Sequence, residues 1–276
     1  YFCSVKQLKR FFDFYLKSSL HVAFMVLCMF EITIFEYDFK TVLEERAFIF
    51  FSSLAAYNLV KYLSFFNKNI HQLSRNIKII GAMTGISLSV SAYLFVYFSF
   101  EQQFVIFLAT LFLVLYTIPL NPSWVNLRNI GSIKIHIVAV CWTLLTFVVP
   151  LVSQIDLNNS TFWFSVLQRY LWIILAILPF EIADFRTDSE DLDTLPRVIG
   201  VSRTKILGYL IFVLTLFLVY VNRPNFLFVY TIMLSLYVYF LATSSVNQSS
   251  YRTIFWVEAV PFVGWIILFL KLQDYV

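Results

Sequence analysis

The run EIADFRTDSEDLDTLP, Glu181 to Pro196, places six carboxylates and one arginine within its first thirteen residues. Glu181, Asp184 and Asp188 are spaced by three and four residues, so a helix passing through them stacks all three on one face over two turns. Like charges at that spacing repel one another, and the arrangement costs stability unless a cation sits among them. Magnesium is the natural candidate, a hard cation that takes carboxylate oxygens together with substrate phosphate oxygens and water. The alternative is a solvated acidic loop. Against it stands position: the carboxylates follow directly on the apolar run YLWIILAILPF and carry more charge than a connector needs. The next residues, TLPRVIGVSRTKILGYL, supply Arg197, Arg203 and Lys205, cations able to hold phosphate oxygens.

The elements that must position these residues are membrane helices. Hydrophobic residues make up 60% of the 276, aromatics 20% and charged residues only 13%, with a mean hydropathy of +0.80. That composition excludes a soluble globular domain. A hydrocarbon core of roughly 30 Å takes about 20 apolar residues per helix. Windows that satisfy this lie near 20–37, 46–66, 79–99, 102–119, 133–152, 162–180, 205–222, 225–243 and 253–271. The expectation is therefore an all-α integral membrane protein of nine spans, organised as a single polytopic domain over 1–276. The preceding segment YFCSVKQLKRFFDFYLKSS reads as an interfacial amphipathic lead-in. Helix six either continues past Pro179 or restarts there with the proline in its first turn.

Basic residues fix the expected orientation. Lys6, Lys9, Arg10 and Lys17 precede the first span; Lys68, Arg75, Lys78, Arg128, Lys134, Arg186, Arg197, Arg203, Lys205 and Arg252 fall in or beside the even-numbered connections. The opposite side holds little more than Lys40, Arg46, Arg223 and Lys271. The positive-inside rule puts the N-terminus and the acidic run in the cytoplasm and, with nine spans, the C-terminus outside. A bacterial cytoplasmic membrane is the expected location, with an organelle membrane as the alternative. The net charge of +4 comes from these loop cations and calls for no nucleic-acid partner. Cys3, Cys28 and Cys141, like His21, His71 and His136, are scattered without ligand spacing and read as packing residues.

The sequence DFRTDSEDLDTLPRVIG resembles the second aspartate-rich motif of the UbiA superfamily of intramembrane prenyltransferases. Glu181, Asp184 and Asp188 take the three acidic positions, followed by Thr194, Leu195, Pro196 and Gly200. The interval from the last acid to the threonine is one residue shorter than usual and lacks its glycine. LYTIPL, Leu115 to Leu120, is similar to the family's Tyr-x-x-Pro-Leu element after its fourth helix. The first aspartate-rich motif is degenerate: in YNLVKYLSFF, Asn58 fits the leading position, but the acidic positions fall on Leu59, Tyr62 and Phe66. Lys61 stands among them, either neutralising a diphosphate or pairing with Glu181 or Asp184, or else snorkelling to the headgroups.

The resemblance implies a nine-helix bundle around a central cavity open to the cytoplasmic side. It implies magnesium-assisted transfer of a polyprenyl group from its diphosphate to a lipophilic acceptor, an aromatic or quinone precursor. On that reading Asp184 and Asp188, with Lys61, are the catalytic candidates, and Glu181, Asp184 and Asp188 hold the metal. Asn58, Arg186, Arg197 and Lys205 are the candidates for the substrate diphosphate, and Tyr116 is a possible substrate contact. Asp191 and Asp193 read as solvated loop charges. The competing reading is a divergent, catalytically inactive protein of the same fold that binds an isoprenoid, a quinone lipid or a biosynthetic partner. Transport is a third reading, without paired broken helices to favour it.

Overall fold

Apolar runs of this length leave the backbone one economical way to satisfy its own polar groups, and the chain takes it throughout. The computed structural model describes residues 2–66, 73–118, 131, 133–186 and 192–273. In chain order the helices are α1 (Phe2–Lys17), α2 (Leu20–Tyr37), α3 (Leu43–Phe66), α4 (Arg75–Leu94) and α5 (Phe100–Thr117). After them come α6 (Ile133–Leu151, with a π-helical turn at Leu144–Val148), α7 (Ser160–Asp184), the short α8 (Leu195–Ile199) and α9 (Val201–Asn222). Last are α10 (Leu227–Ala242) and α11 (Arg252–Lys271), which opens on a π-helical segment, Arg252–Val257.

Eight of the described helices are long and apolar enough to cross a membrane: α2, α4, α5, α6, α7, α9, α10 and α11. The ninth expected span, near 46–66, is present as α3 but stands outside that apolar set. Glu44, Glu45, Arg46, Asn58 and Lys61 lower its hydropathy. The apolar side chains that α9 turns outward, among them Leu210, Val213, Phe217 and Val221, form the exposed surface expected of a helix facing lipid.

Local chemistry sets the helix ends. Ser99 and Gln102 form a reciprocal capping box at the start of α5, and the Asn159 side chain accepts from Thr161 N at 2.9 Å at the start of α7. Helix α7 runs unbroken through Pro179, so the carboxylate face continues the membrane helix rather than starting a new one. The Pro179 carbonyl accepts from Gln248 Nε2 at 3.4 Å. Thr194 precedes α8, which has Pro196 in its first turn, and Gly200, at φ 84°, joins α8 directly to α9. A side chain at that φ would be strained, which gives the Thr-Leu-Pro to Gly spacing its physical reason. The lead-in helix α1 is tied down by Tyr15 and His21, hydrogen-bonded at 3.0 Å, and by Phe12 against Phe255, with ring centroids 5.1 Å apart. Tyr251 donates to Asp13, and that carboxylate pushes the tyrosine hydroxyl's pKa up.

Two apolar clusters make the interior. One gathers Trp172, Leu175, Leu178, Tyr230 and Met233 from α7 and α10; the other gathers Phe30, Ile49, Val105, Phe147 and Phe162 from α2, α3, α5, α6 and α7. Trp142 of α6 packs against both. At the end where α2 finishes and α7 begins, the interior encloses charge. Glu36 accepts from Tyr230 Oη at 2.9 Å and lies 3.9 Å from Arg169 Nη2 and 4.0 Å from Arg223 Nε. Arg169 donates to Met29 O at 2.9 Å and to Thr33 Oγ1 at 2.8 Å, and Thr33 in turn donates to Thr146 O in the π-helical turn of α6, also at 2.8 Å.

Candidate functional site

At the opposite end, where α3, α5 and α7 finish and α6 begins, a cavity of about 600 Å³ lies between the two apolar clusters. Its ionisable lining comes from four helices: Lys61 from α3, Lys134 from α6, Glu181 and Asp184 from α7, and Glu258 from α11. Tyr57, Tyr116, Trp142, Phe180 and Tyr237 supply aromatic wall, and Ile173, Ile177 and Val257 supply aliphatic wall. A second cavity of about 520 Å³, almost wholly apolar, adjoins it and shares Tyr57, Tyr116, Val138 and Trp142 with it. Tyr57 and Trp142 meet edge to face at this junction, with ring centroids 5.7 Å apart.

Helix α7 carries its acids as the spacing predicts, but their surroundings differ. Glu181 is buried and its Oε1 lies 3.0 Å from Lys134 Nζ; Asp184, one turn on, is exposed and lines the polar cavity. The cation paired with Glu181 is thus Lys134, a residue the sequence presents as one loop cation among many, and not the expected Lys61. Lys61 lines the same cavity, with its ammonium 5.9 Å from the centroid of the Tyr57 ring. Asp188 and Asp191 lie outside the described residues, as do Lys68, His71, Pro119, Leu120 and Arg128.

The other expected diphosphate ligands are placed apart from the cavity lining. Asn58 is fully buried in α3, and its amide oxygen and nitrogen have no hydrogen-bond partner among the described residues. Lys205 donates to the carbonyls of Ala242 and Ser244, each at 2.8 Å, which caps the end of α10. Arg197 donates to Phe185 O at 2.8 Å and stacks over the Phe185 ring. Arg186 is exposed in the turn after α7. Asp193 packs its backbone against Gly131, where an added Cβ would lie 2.6 Å from the Asp193 carbonyl oxygen.

Sequence reasoning passed over two members of the constellation, Lys134 and Glu258. Each carried a usable signal: an ionisable side chain inside a span-length apolar window, which in a membrane marks a functional site by default. The packing readings of His21 and Cys28 agree with their positions, since both are buried and the His21 ring is hydrogen-bonded to Tyr15 and to the Phe255 carbonyl.

Among the described residues no group of three or more carboxylate, histidine or cysteine side chains gathers as a metal site. On the cavity wall two carboxylates follow one another by a turn, Asp184 exposed and Glu181 paired with Lys134, and a magnesium ion held there would take the rest of its shell from phosphate oxygens and water.

No family model and no curated sequence matches the chain. Its fold, by contrast, matches solved structures over nearly the whole length. A UbiA homolog from Archaeoglobus fulgidus bound to GPP and Mg2+ superposes with a TM-score of 0.61 at 10% identity, covering 93% of this chain and 98% of that one. The same homolog bound to DMAPP and Mg2+ gives 0.61 at 11%, covering 93% and 98%. A structure of digeranylgeranylglyceryl phosphate synthase gives 0.55 at 14%, covering 96% of this chain and 99% of that one. The chain therefore has the UbiA fold, at identities too low to carry more than the fold.

Proposed function

We propose that the chain is a UbiA-like membrane prenyltransferase, moving a polyprenyl group from its diphosphate to an aromatic or quinone-precursor acceptor. The observation that carries this reading is the joining of two unlike cavities at Tyr57, Tyr116 and Trp142. One is lined with lysines and carboxylates, the other with apolar side chains, and a prenyl diphosphate has the same two halves. The diphosphate lies against Lys61, Lys134 and Asp184, and the isoprenoid tail lies in the apolar cavity. Asp184 and Glu181, with Asp188 as the third acid of the run, would hold magnesium, which would supply Lewis-acid neutralisation of the leaving group. The ammonium groups of Lys61 and Lys134 take up charge as the carbon–oxygen bond breaks and its electron pair departs on the diphosphate. The aromatic wall faces the developing allylic cation and keeps water away from it. Arg197 and Lys205 are left in structural roles. Helix α3 is the ninth crossing, the cavity faces the cytoplasm, and the C-terminus lies outside; the clustering of cations at the cavity end supports that orientation.

The competing reading, an inactive isoprenoid or quinone binder, is favoured by one observation: Glu181 is already neutralised by Lys134. Incubation of the purified protein with labelled geranyl diphosphate, Mg2+ and a mixture of aromatic and quinone-precursor acceptors separates the two. Release of diphosphate supports the transferase; recovery of intact, bound geranyl diphosphate supports the binder.

A further inference from the structure

The diphosphate reading leaves one ionisable group of the cavity without a task. Glu258 is the only carboxylate in the run TIFWVEAVPFVGW of α11. The backbone aims it deliberately. The segment Arg252–Val257 is π-helical, the Glu258 amide reaches back to Thr253 O at 3.2 Å, and the regular helix resumes only at Val260. Pro261, next in line, has no N–H to continue the earlier ladder. Such wide turns recur at functional sites because they re-aim a side chain out of the helical register. Here Glu258 lines the same cavity as Lys61, Lys134, Glu181 and Asp184.

A carboxylate in that position is costly on two counts. It stands within a span, where an acidic side chain is costly to place. It also repels an anionic diphosphate sharing the same cavity. Lys61 is its electrostatic neighbour and offsets part of this cost. Simple neutralisation of Lys61 would be a self-defeating use of the acid, since a diphosphate performs it directly. What remains for an acid in a cavity that also holds Tyr57, Tyr116, Trp142, Phe180 and Tyr237 is the second substrate.

Resting on the transferase reading, we propose that Glu258 is the catalytic base that takes the proton displaced from a phenolic acceptor. A ring carbon of the phenol bonds to the allylic carbon as the bond from that carbon to the diphosphate oxygen breaks, its electron pair leaving on the diphosphate. The hydrogen on the alkylated ring carbon then passes as a proton to the Glu258 carboxylate, and the C–H pair restores the aromatic ring. The products are a prenylated phenol, diphosphate and a protonated Glu258 that returns its proton to solvent.

The test pairs binding with transfer in the purified full chain, comparing wild type, Glu258→Gln and Glu258→Asp. Binding is read with the non-hydrolysable geranyl S-thiolodiphosphate, and transfer with geranyl diphosphate and either 4-hydroxybenzoate or 1-naphthol as the phenolic probe. Glu258→Gln is expected to bind the analogue within about threefold of wild type while transfer falls roughly 100-fold or more, with Glu258→Asp recovering part of the rate. Wild-type transfer by Glu258→Gln overturns the base role, as does a parallel loss of analogue binding. A wild type that releases diphosphate but prenylates neither phenol also overturns it. A wild type that does not bind the analogue at all overturns the transferase reading beneath it, which is a different failure.

Discussion

Lys134 and Glu181, 3.0 Å apart and both largely buried, already neutralise each other before any ligand arrives. On the proposed reading Lys61, with Glu258 as its electrostatic neighbour and no direct ion pair of this kind among the described residues, is the other cavity cation that meets the diphosphate. Replacing Lys61 by Met removes one charge-assisted contact of about 1.5–3 kcal/mol, so affinity for geranyl S-thiolodiphosphate should fall roughly 10- to 100-fold in a direct binding titration. Unchanged affinity would assign Lys61 to the headgroups instead. At the far end of the bundle, Glu36 and Arg169 are each 1% exposed, and the guanidinium also holds Met29 and Thr33. Arg169→Met leaves a buried carboxylate short of a countercharge and should cost about 3–5 kcal/mol, read as a lowered thermal midpoint in detergent. The Glu36→Gln, Arg169→Met pair should cost less than the sum of the single changes. Glu36, Arg169 and Glu258 were each visible in the sequence as charges inside apolar windows, Arg169 alone in its window, Glu36 sharing one with Glu31 and Glu258 one with Lys271. Their partners lie 194, 136 and more residues distant, as the Glu36–Tyr230 and Arg169–Thr33 bonds illustrate, and no local spacing rule can reach that far.

Helix existence and length were legible because a membrane span needs only an apolar window, and the windows near 20–37, 162–180 and 205–222 each fall within a helix. The continuation of α7 through Pro179 was left open by sequence, since the cost of a missing N–H depends on whether tertiary contacts compensate. The π-helical turns in α6 and α11 had no signature that periodicity detects, because one inserted residue shifts the apolar face without interrupting it. Close approach of helices was equally hidden. A Cβ at Gly208 of α9 would lie 2.1 Å from Leu241 of α10 and 3.0 Å from Leu178 of α7. Small residues let membrane helices approach to this distance. Gly208→Leu should force these helices apart at a cost of about 1–3 kcal/mol, lowering the thermal midpoint, whereas Gly208→Ala asks only for side-chain shifts and should cost less.

The molecule separates its charges by end. Lys61, Lys134, Glu181, Asp184 and Glu258 share one cavity, while Glu36, Arg169 and Arg223 close the other end of the bundle around a hydrogen-bonded network. Between them the two apolar clusters meet at Trp142, which also borders both cavities, so part of the wall between the cavities belongs to the core itself. The acidic run pointed from sequence alone to the end of the bundle where Glu181 and Asp184 line a cavity, and the fold of the UbiA homologs agrees with the resemblance that run carries. The cations that complement it come from α3 and α6, helices brought beside α7 only by folding. The measurement that bears most directly on this arrangement is binding of geranyl S-thiolodiphosphate to the purified protein, with and without Mg2+, in wild type and in an Asp184→Ala, Asp188→Ala double variant. The account predicts binding that Mg2+ strengthens and that the double variant loses. Binding that is absent from the wild type, or indifferent to both the ion and the substitutions, would contradict it.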